Sequence, residues 1–355
     1  MSNIKVSIIG GAGYGAAELL RHLLVRDDVE VIRVSSKDFI GDRVDTVHRT
    51  LGGLTDLILE DLPPKEAATG ADFVFLAMPH KITAAVAMEL FDLDVRIIDL
   101  SGDFRLRSLV DYQRDYAPNH PCPERLGTFA YGLPELNRKA IAKAQHVASP
   151  GCFATCITLG LLPLAKAGLL QSDQGLSVRT VAMTGSSGSG VRPSAGTHHP
   201  VRSRNLKPYK VLHHQHRAEI LQTLGDAGAK NVALDFIPVS APLARGILAI
   251  SQLDLPTSLD ADSAQQLFED TYRDFRLVRM MPKGQVPEVA AVAGTGKVEV
   301  GVQVRIDEHT GVKTLACMSA IDNLIKGGAG QAIQCFNLMT GHSEFYGLDA
   351  PGMWP

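Results

Sequence analysis

A chain of 355 residues, 45% hydrophobic and 21% charged, has the make-up of an ordinary folded globular protein and is long enough for two domains. Its net charge of −3 supplies no basic field for nucleic acid or an acidic membrane, so a small-molecule partner is expected. The five cysteines, at 122, 152, 156, 317 and 335, are odd in number and scattered, which argues against a disulfide framework and for reduced thiols in the cytoplasm.

The N-terminus runs straight into a strand-like segment with no charged-then-apolar leader, and no apolar run nears the roughly 20 residues of a spanning helix, so no membrane partner is expected. Lys5-Val6-Ser7-Ile8-Ile9 is an apolar, β-branched run that ends in Gly10-Gly11-Ala12-Gly13-Tyr14-Gly15, and a helical pattern follows from Glu18. Strand, glycine loop and helix in that order suit a dinucleotide: glycines allow the tight turn and let a pyrophosphate reach the helix N-terminus. The second strand, from Val29 to Val34, ends at Ser35-Ser36-Lys37, where an NAD site usually holds a carboxylate for the ribose; two hydroxyls and a lysine suit a 2′-phosphate instead, with Asp38 as a competing signal. NADP(H) is the expected cofactor.

Further strands read at 72–77 and 95–100, with a helical pattern from Thr83 to Phe91 between them, which predicts a parallel, doubly wound sheet. Met78-Pro79-His80 and Ser101-Gly102-Asp103-Phe104-Arg105 follow the carboxyl ends of these strands, where ligands bind in such sheets. Arg105 could clamp a phosphate or pair structurally with Asp103. The segment from Tyr112 to Pro134 reads as a long ordered excursion, and His146-Val147-Ala148 as the last short strand of this half.

Ser149-Pro150-Gly151-Cys152 then reads as a helix start, with Ser149 as the N-cap, Pro150 in the first helical position and Cys152 in the first turn. Unpaired N–H groups and the helix dipole would favour the thiolate there; the alternative is a small core residue. Beyond it, strand-like stretches at 177–184, 232–238, 247–253, 298–306 and 313–321 predict a second domain on a mixed or largely antiparallel sheet. Gly185-Ser186-Ser187-Gly188-Ser189-Gly190 reads either as a flexible linker or as a cover that lets backbone approach a substrate. Five of the twelve histidines lie between 197 and 219. They could bind a metal, mark a polar helix start, or supply an acid/base, with Glu219 on the same face as His216 if a helix begins near Gln215. No carboxylate or cysteine at ligand spacing accompanies His214 and His216, so no metal is expected. Asp322-Asn323 heads an apolar helical pattern running to about Met339, which could return to the first domain.

Taken in order, GGAGYGAAELL, DLSGDFRL, YGLPELNR, SPGCFATCITLGLLPL, HxHxxEI, RGI at 245–247 and DNLIKGGAGQAIQ resemble N-acetyl-γ-glutamyl-phosphate reductase nearly end to end. The resemblance implies an α/β fold: a Rossmann NADP domain over 1–150 completed by 323–355, and a semialdehyde-dehydrogenase-type catalytic and oligomerisation domain over 151–322. It implies NADPH-dependent reduction of an acyl phosphate to an aldehyde, in arginine biosynthesis, by a cytoplasmic homodimer or homotetramer. Cys152 would be the acyl-forming nucleophile and His216 the acid/base, with His214 as its competitor. Gly10, Gly11, Ala12, Gly13, Tyr14, Gly15, Ser35, Ser36, Lys37, Pro79 and Asn323 would hold the cofactor. Arg105, Ser187, Gly188, His199, Arg202 and Tyr209 are the candidate substrate contacts. The cysteine loop departs from many members in lacking an Asn between Ser149 and Pro150, and THHPVRSRNLKPYK resembles a sister branch acting on carrier-linked aminoadipyl or glutamyl phosphate. A dinucleotide-sensing regulator without catalysis is the reading from another class.

Overall fold

Short β-branched runs separated by helical patterns bury both faces of a sheet, and the N-terminal half is built in this way. The computed structural model describes residues 3–254 and 259–354, which form two units: Met1–Gly151 with Gly328–Leu348, and Cys152–Gly327 with Asp349–Pro355. In the first, strands β1 (Ile4–Ile9), β2 (Val29–Ser35), β3 (Leu59–Glu60), β4 (Phe73–Leu76), β5 (Arg96–Asp99), β6 (Ala130–Tyr131) and β7 (His146–Ala148) lie in the order β3-β2-β1-β4-β5-β7-β6. All the pairings are parallel. Val74 and Leu76 bury against Ala84, Ala87 and Leu90 of the helix Thr83–Leu90, and the excursion after Tyr112 comes back as the edge strand β6.

The helix Gly330–Met339 completes this unit. Its Phe336 ring meets Phe73 edge-on at 4.9 Å, and Gln331 Nε2 donates to Gly132 O at 2.6 Å. The returning piece is therefore 328–348 rather than 323–355. Residues 322–327 are held in the second unit by the buried Asp322 carboxylate, and Gly352 packs on Thr295 of that unit.

The second unit carries β8 (Gln171–Thr184), β9 (Lys207–Pro208), β10 (Lys230–Ser240), β11 (Ile247–Asp254), β12 (Val278–Met280), β13 (Val298–Ile306) and β14 (Lys313–Ile321), in the order β12-β13-β14-β11-β8-β10-β9. β8–β10 and β12–β13 are parallel and the remaining pairs antiparallel, so the sheet is mixed. One face is covered by the helix Cys152–Lys166. The other presents a half-exposed apolar stripe, since register sets Ile250 beside Val181 and Met318, and Val181 beside Ile237. Pro163 lies inside the covering helix, where it has no N–H to give Leu159 O. The buried Tyr272 hydroxyl donates to that carbonyl instead. Among the described residues no helix is long and apolar enough to cross a membrane.

Candidate active site

At the head of the first unit, Gly10 has φ +101, and a Cβ on it would fall 2.8 Å from the Ala77 backbone; a Cβ on Gly11 would fall 2.3 Å from Val34 Cγ1. The turn can thus lie flat on the sheet only with glycines there. Nothing lies within 4 Å of a Cβ placed on Gly13, the N-cap residue of the ten-residue helix Tyr14–Leu23, so the helix N-terminus faces open space. That is the cradle a pyrophosphate needs. Ala12 lies buried in the same turn, Tyr14 is exposed and Gly15 is partly covered. Ser35 O accepts both the Gly10 and Gly11 N–H groups, which ties the glycine turn to the end of β2. Ser35 and Ser36 are buried, the Ser36 hydroxyl accepting the Asp38 N–H at 3.1 Å, whereas Lys37 is exposed and ion-paired with Asp61. Asp61 escaped the sequence reading because β3 beside it is only two residues long. His48, whose ring meets Gly11 O at 2.7 Å, also gave no signal in the sequence.

Past the ends of β4 and β5 two loops are fastened to each other. His80 Nδ1 accepts the Gly102 N–H at 2.7 Å, and the Asp103 carboxylate accepts the Lys81 and Ala84 N–H groups at 2.9 Å each. Pro79 lies exposed in the first of these loops. Arg105 is buried; its Nε donates to Ser149 O at 2.7 Å and its Nη2 to Leu100 O at 2.8 Å. Arg105 therefore braces the strand end that leads to the cysteine loop. Asp99 in the same region is fully buried, and burial pushes its carboxyl up to about 7 despite hydrogen bonds from Ser101.

In the second unit the helix begins at Cys152 itself, not at Pro150. Ser149 is consequently not the cap: its N–H donates to Asp99 O, and its buried hydroxyl has no hydrogen-bond partner among the described residues. Cys152 occupies the first helical position, half-buried, in the turn whose N–H groups have no intrahelical acceptor. Burial pushes Cys156 and Cys317 up to about 12. Cys156 Sγ lies 3.4 Å from Ser319 O, as a core thiol does.

The next residue, Phe153, gathers the imidazoles: its ring centroid is 5.2 Å from His214 and 6.1 Å from His216, which are 4.7 Å from each other. His216 opens the helix His216–Asp226, and Glu219 is fully buried one turn on. His214 Nδ1 accepts the His216 N–H at 3.2 Å, and burial, with Lys210 adding to it, pushes the His214 imidazole down to about 3. His214 is thus a neutral cap for the helix that carries His216. Burial raises the Tyr209 phenol, with the Cys152 sulfur adding to it, and lowers the guanidinium of Arg202. Arg202 donates from Nη2 to Thr184 O at 2.7 Å while its buried Nε has no partner among the described residues. His199 is exposed at the head of the short turn His199–Arg202.

The glycine–serine loop is not a linker. Gly185, Ser186 and Ser187 donate their N–H groups to Gly246, Leu243 and Ala244 carbonyls, and Ser186–Ser189 forms a 3-10 turn. A Cβ on Gly188 would lie 3.5 Å from Asn323 Nδ2, and that amide donates to Ser187 Oγ at 3.0 Å. Among the described residues no three His, Cys, Asp or Glu side chains gather as metal ligands.

Residues 5–144 match the model of the semialdehyde dehydrogenase NAD-binding domain, and 152–323 that of the semialdehyde dehydrogenase dimerisation domain. An N-acetyl-gamma-glutamyl-phosphate reductase from Desulfotalea psychrophila is 38% identical over 99% of this chain and 100% of its own. The chain belongs to the N-acetyl-γ-glutamyl-phosphate reductase family. A putative [LysW]-L-2-aminoadipate 6-phosphate reductase from Thermomicrobium roseum is also similar, 39% identical over 99% of both chains. Among solved structures, aspartate semialdehyde dehydrogenase II from Vibrio cholerae has a TM-score of 0.72 at 16% identity, covering 96% of this chain and 99% of its own. The Candida albicans aspartate semialdehyde dehydrogenase with NADP has a TM-score of 0.68 at 12% identity, covering 96% and 99%. These two share the fold. Members of the family are oxidoreductases of amino-acid biosynthesis, and the first unit of this chain is an NAD(P)-binding domain.

Proposed function

We propose that this chain reduces N-acetyl-γ-glutamyl phosphate to N-acetylglutamate semialdehyde and phosphate, with NADPH, through a thioester on Cys152. The observation that carries this reading is Cys152 at the first position of a buried helix, followed by Phe153, whose ring packs against the His214–His216 pair. The Cys152 thiolate attacks the acyl carbon, first-turn N–H groups hold the developing oxyanion, and the C–O bond to phosphate breaks. A bound nicotinamide supplies the hydride that reduces the thioester carbon. When the resulting oxyanion collapses and expels the sulfur, His216 gives its proton to the departing thiolate, oriented by Glu219 behind it and by His214 at the helix start. In the first unit the open helix N-terminus at Gly13 receives the pyrophosphate, Ser35 to Lys37 the 2′-phosphate, and Pro79 borders the nicotinamide. Arg202 is the anchor for a substrate carboxylate: its guanidinium is buried, and among the described residues its Nε has no partner and no carboxylate bonds to it, which suits an incoming anion. Tyr209, Ser187, Gly188 and His199 are the further substrate contacts in the second unit.

A carrier-linked substrate is the second reading. From Gln174 to Ala218 the chain has no Asp or Glu, while Arg192, Arg204, Lys207 and Lys210 are exposed there, a surface suited to an acidic carrier. The apolar stripe of Val181, Ile237 and Ile250 serves for homodimerisation. We place the protein in the cytoplasm, a reading supported by the odd number and scattered positions of its five cysteines.

Phosphate-dependent NADP reduction, run with N-acetylglutamate semialdehyde against the carrier-linked aldehyde, separates the two substrates. Cys152→Ser should abolish this turnover while NADPH still binds; near-normal turnover in that variant would sink the thioester reading. Of the five thiols, Cys152 should be the one alkylated rapidly by iodoacetamide, with protection by substrate.

A further inference from the structure

Gly327 is packed directly on Cys152. A Cβ placed on it would fall 2.7 Å from Cys152 Cβ, 3.1 Å from Cys152 Cα and 3.2 Å from Ile321 Cδ1. Its backbone is outside the left-handed region, so space and not conformation demands a glycine there. The segment that presents it is fixed at every step. Asp322 is fully buried, and its Oδ1 accepts the Leu324 and Ile325 N–H groups at 2.8 and 2.9 Å. Its Oδ2 accepts the Gly294 N–H at 2.7 Å and lies 3.6 Å from the Arg245 guanidinium. Asn323 Oδ1 accepts the Gly246 N–H at 2.6 Å, and the Gly327 N–H closes the turn on Asp322 O at 2.9 Å. A buried carboxylate with this many charge-assisted bonds is far stiffer than a surface turn.

We infer that Asp322–Gly327 is a positioning device for the Cys152 sulfur, with Gly327 as its contact residue and Asp322 as its anchor. A cysteine side chain has one torsion, and backbone pressed against its Cα–Cβ bond closes the wells on that side. The sulfur is thereby left with fewer directions open to it. Because a 1 Å misplacement of a reacting group costs about 100-fold, a methyl group inserted at Gly327 should be felt in the chemistry before it is felt in cofactor binding. The inference rests on Cys152 as the nucleophile.

The test is Gly327→Ala, read three ways: the iodoacetamide rate at Cys152, kcat, and NADPH affinity by fluorescence. We expect the alkylation rate and kcat each to fall at least tenfold, with NADPH affinity within twofold of wild type. Asp322→Asn, which keeps one acceptor oxygen but turns an N–H donor toward Gly294, should lower both rates by a smaller factor. If Gly327→Ala alters kcat without altering alkylation, or alters neither, the positioning role is wrong. Should that variant unfold, Cys152→Gly/Gly327→Ala decides: removing the Cys152 Cβ should restore most of the lost Tm, and no restoration overturns the contact. Cys152→Ser in the same series keeps the two readings apart. If it turns over normally, the nucleophile assignment fails, while alkylation and Tm still judge the contact.

Discussion

His214 and His216 have ring centroids 4.7 Å apart, and the sequence offered either as the proton donor. With its imidazole pushed down to about 3, His214 is charged in about one molecule in 10⁴ at pH 7. Charging it there costs roughly 5 kcal/mol, at 1.36 kcal/mol for each tenfold. A positioned general acid contributes about 10²- to 10⁴-fold, so a donor populated so thinly returns nothing. His214→Asn should therefore keep kcat within about tenfold of wild type. The asparagine still offers an oxygen to the His216 N–H, and losing even that bond would cost only about 1 kcal/mol of stability. His216→Asn should lower kcat by about 10²- to 10⁴-fold with little change in Tm. Single-turnover NADPH oxidation by stopped flow, followed from pH 6 to 9 for both variants, reads this directly. An equal loss in the two variants, together with disappearance of a limb of the pH profile in His214→Asn, would refute the assignment.

Cofactor choice turns on an ion pair. Lys37→Asp should shrink the ratio of kcat/KM for NADPH over NADH, whereas Asp61→Asn, by releasing Lys37, should raise it a few-fold; a wild-type preference for NADH would overturn the 2′-phosphate reading. Tyr272→Phe leaves the Leu159 carbonyl, already deprived of a helix partner by Pro163, without its hydroxyl. It should cost about 1–3 kcal/mol in urea unfolding with kcat unchanged, and an unaltered midpoint would contradict this account of the helix. Burial holds Asp99 protonated in the folded chain up to about pH 7, against about 4 when unfolded. The folded state thus binds the extra proton, and stability falls as pH rises from about 4 to about 7. Asp99→Asn should remove that slope, so that its Tm gains on wild type between pH 5 and pH 8; parallel Tm curves would show that the carboxyl is not held neutral.

Local chemistry made the first unit legible in sequence. β-Branched runs, a glycine turn and alternating helical patterns write a parallel sheet into adjacent residues, and strands such as Ile4–Ile9 and Val29–Ser35 lie where the pattern sets them. The five long strands of the second unit were readable for the same reason, and so was the run of residues around Cys152. Short elements were not: β3 and β6, two residues each, have no period to detect, so the neighbour of Lys37 at Asp61 stayed hidden.

What only the tertiary structure decided are the partners of each reactive group. Ser149 and Pro150 have the composition of a helix start, but Ser149 is bound to Asp99 and Arg105, and the helix opens on Cys152 instead. A glycine- and serine-rich loop has the composition of a linker until the carbonyls of 243–246 take its N–H groups. His214 and His216 are alike in sequence and differ only through burial and one hydrogen bond. Residue type and spacing singled out the candidate side chains. Desolvation and long-range contact, which no window of sequence contains, determined the neutral state of His214 and the partners of Ser149 and of the glycine–serine loop.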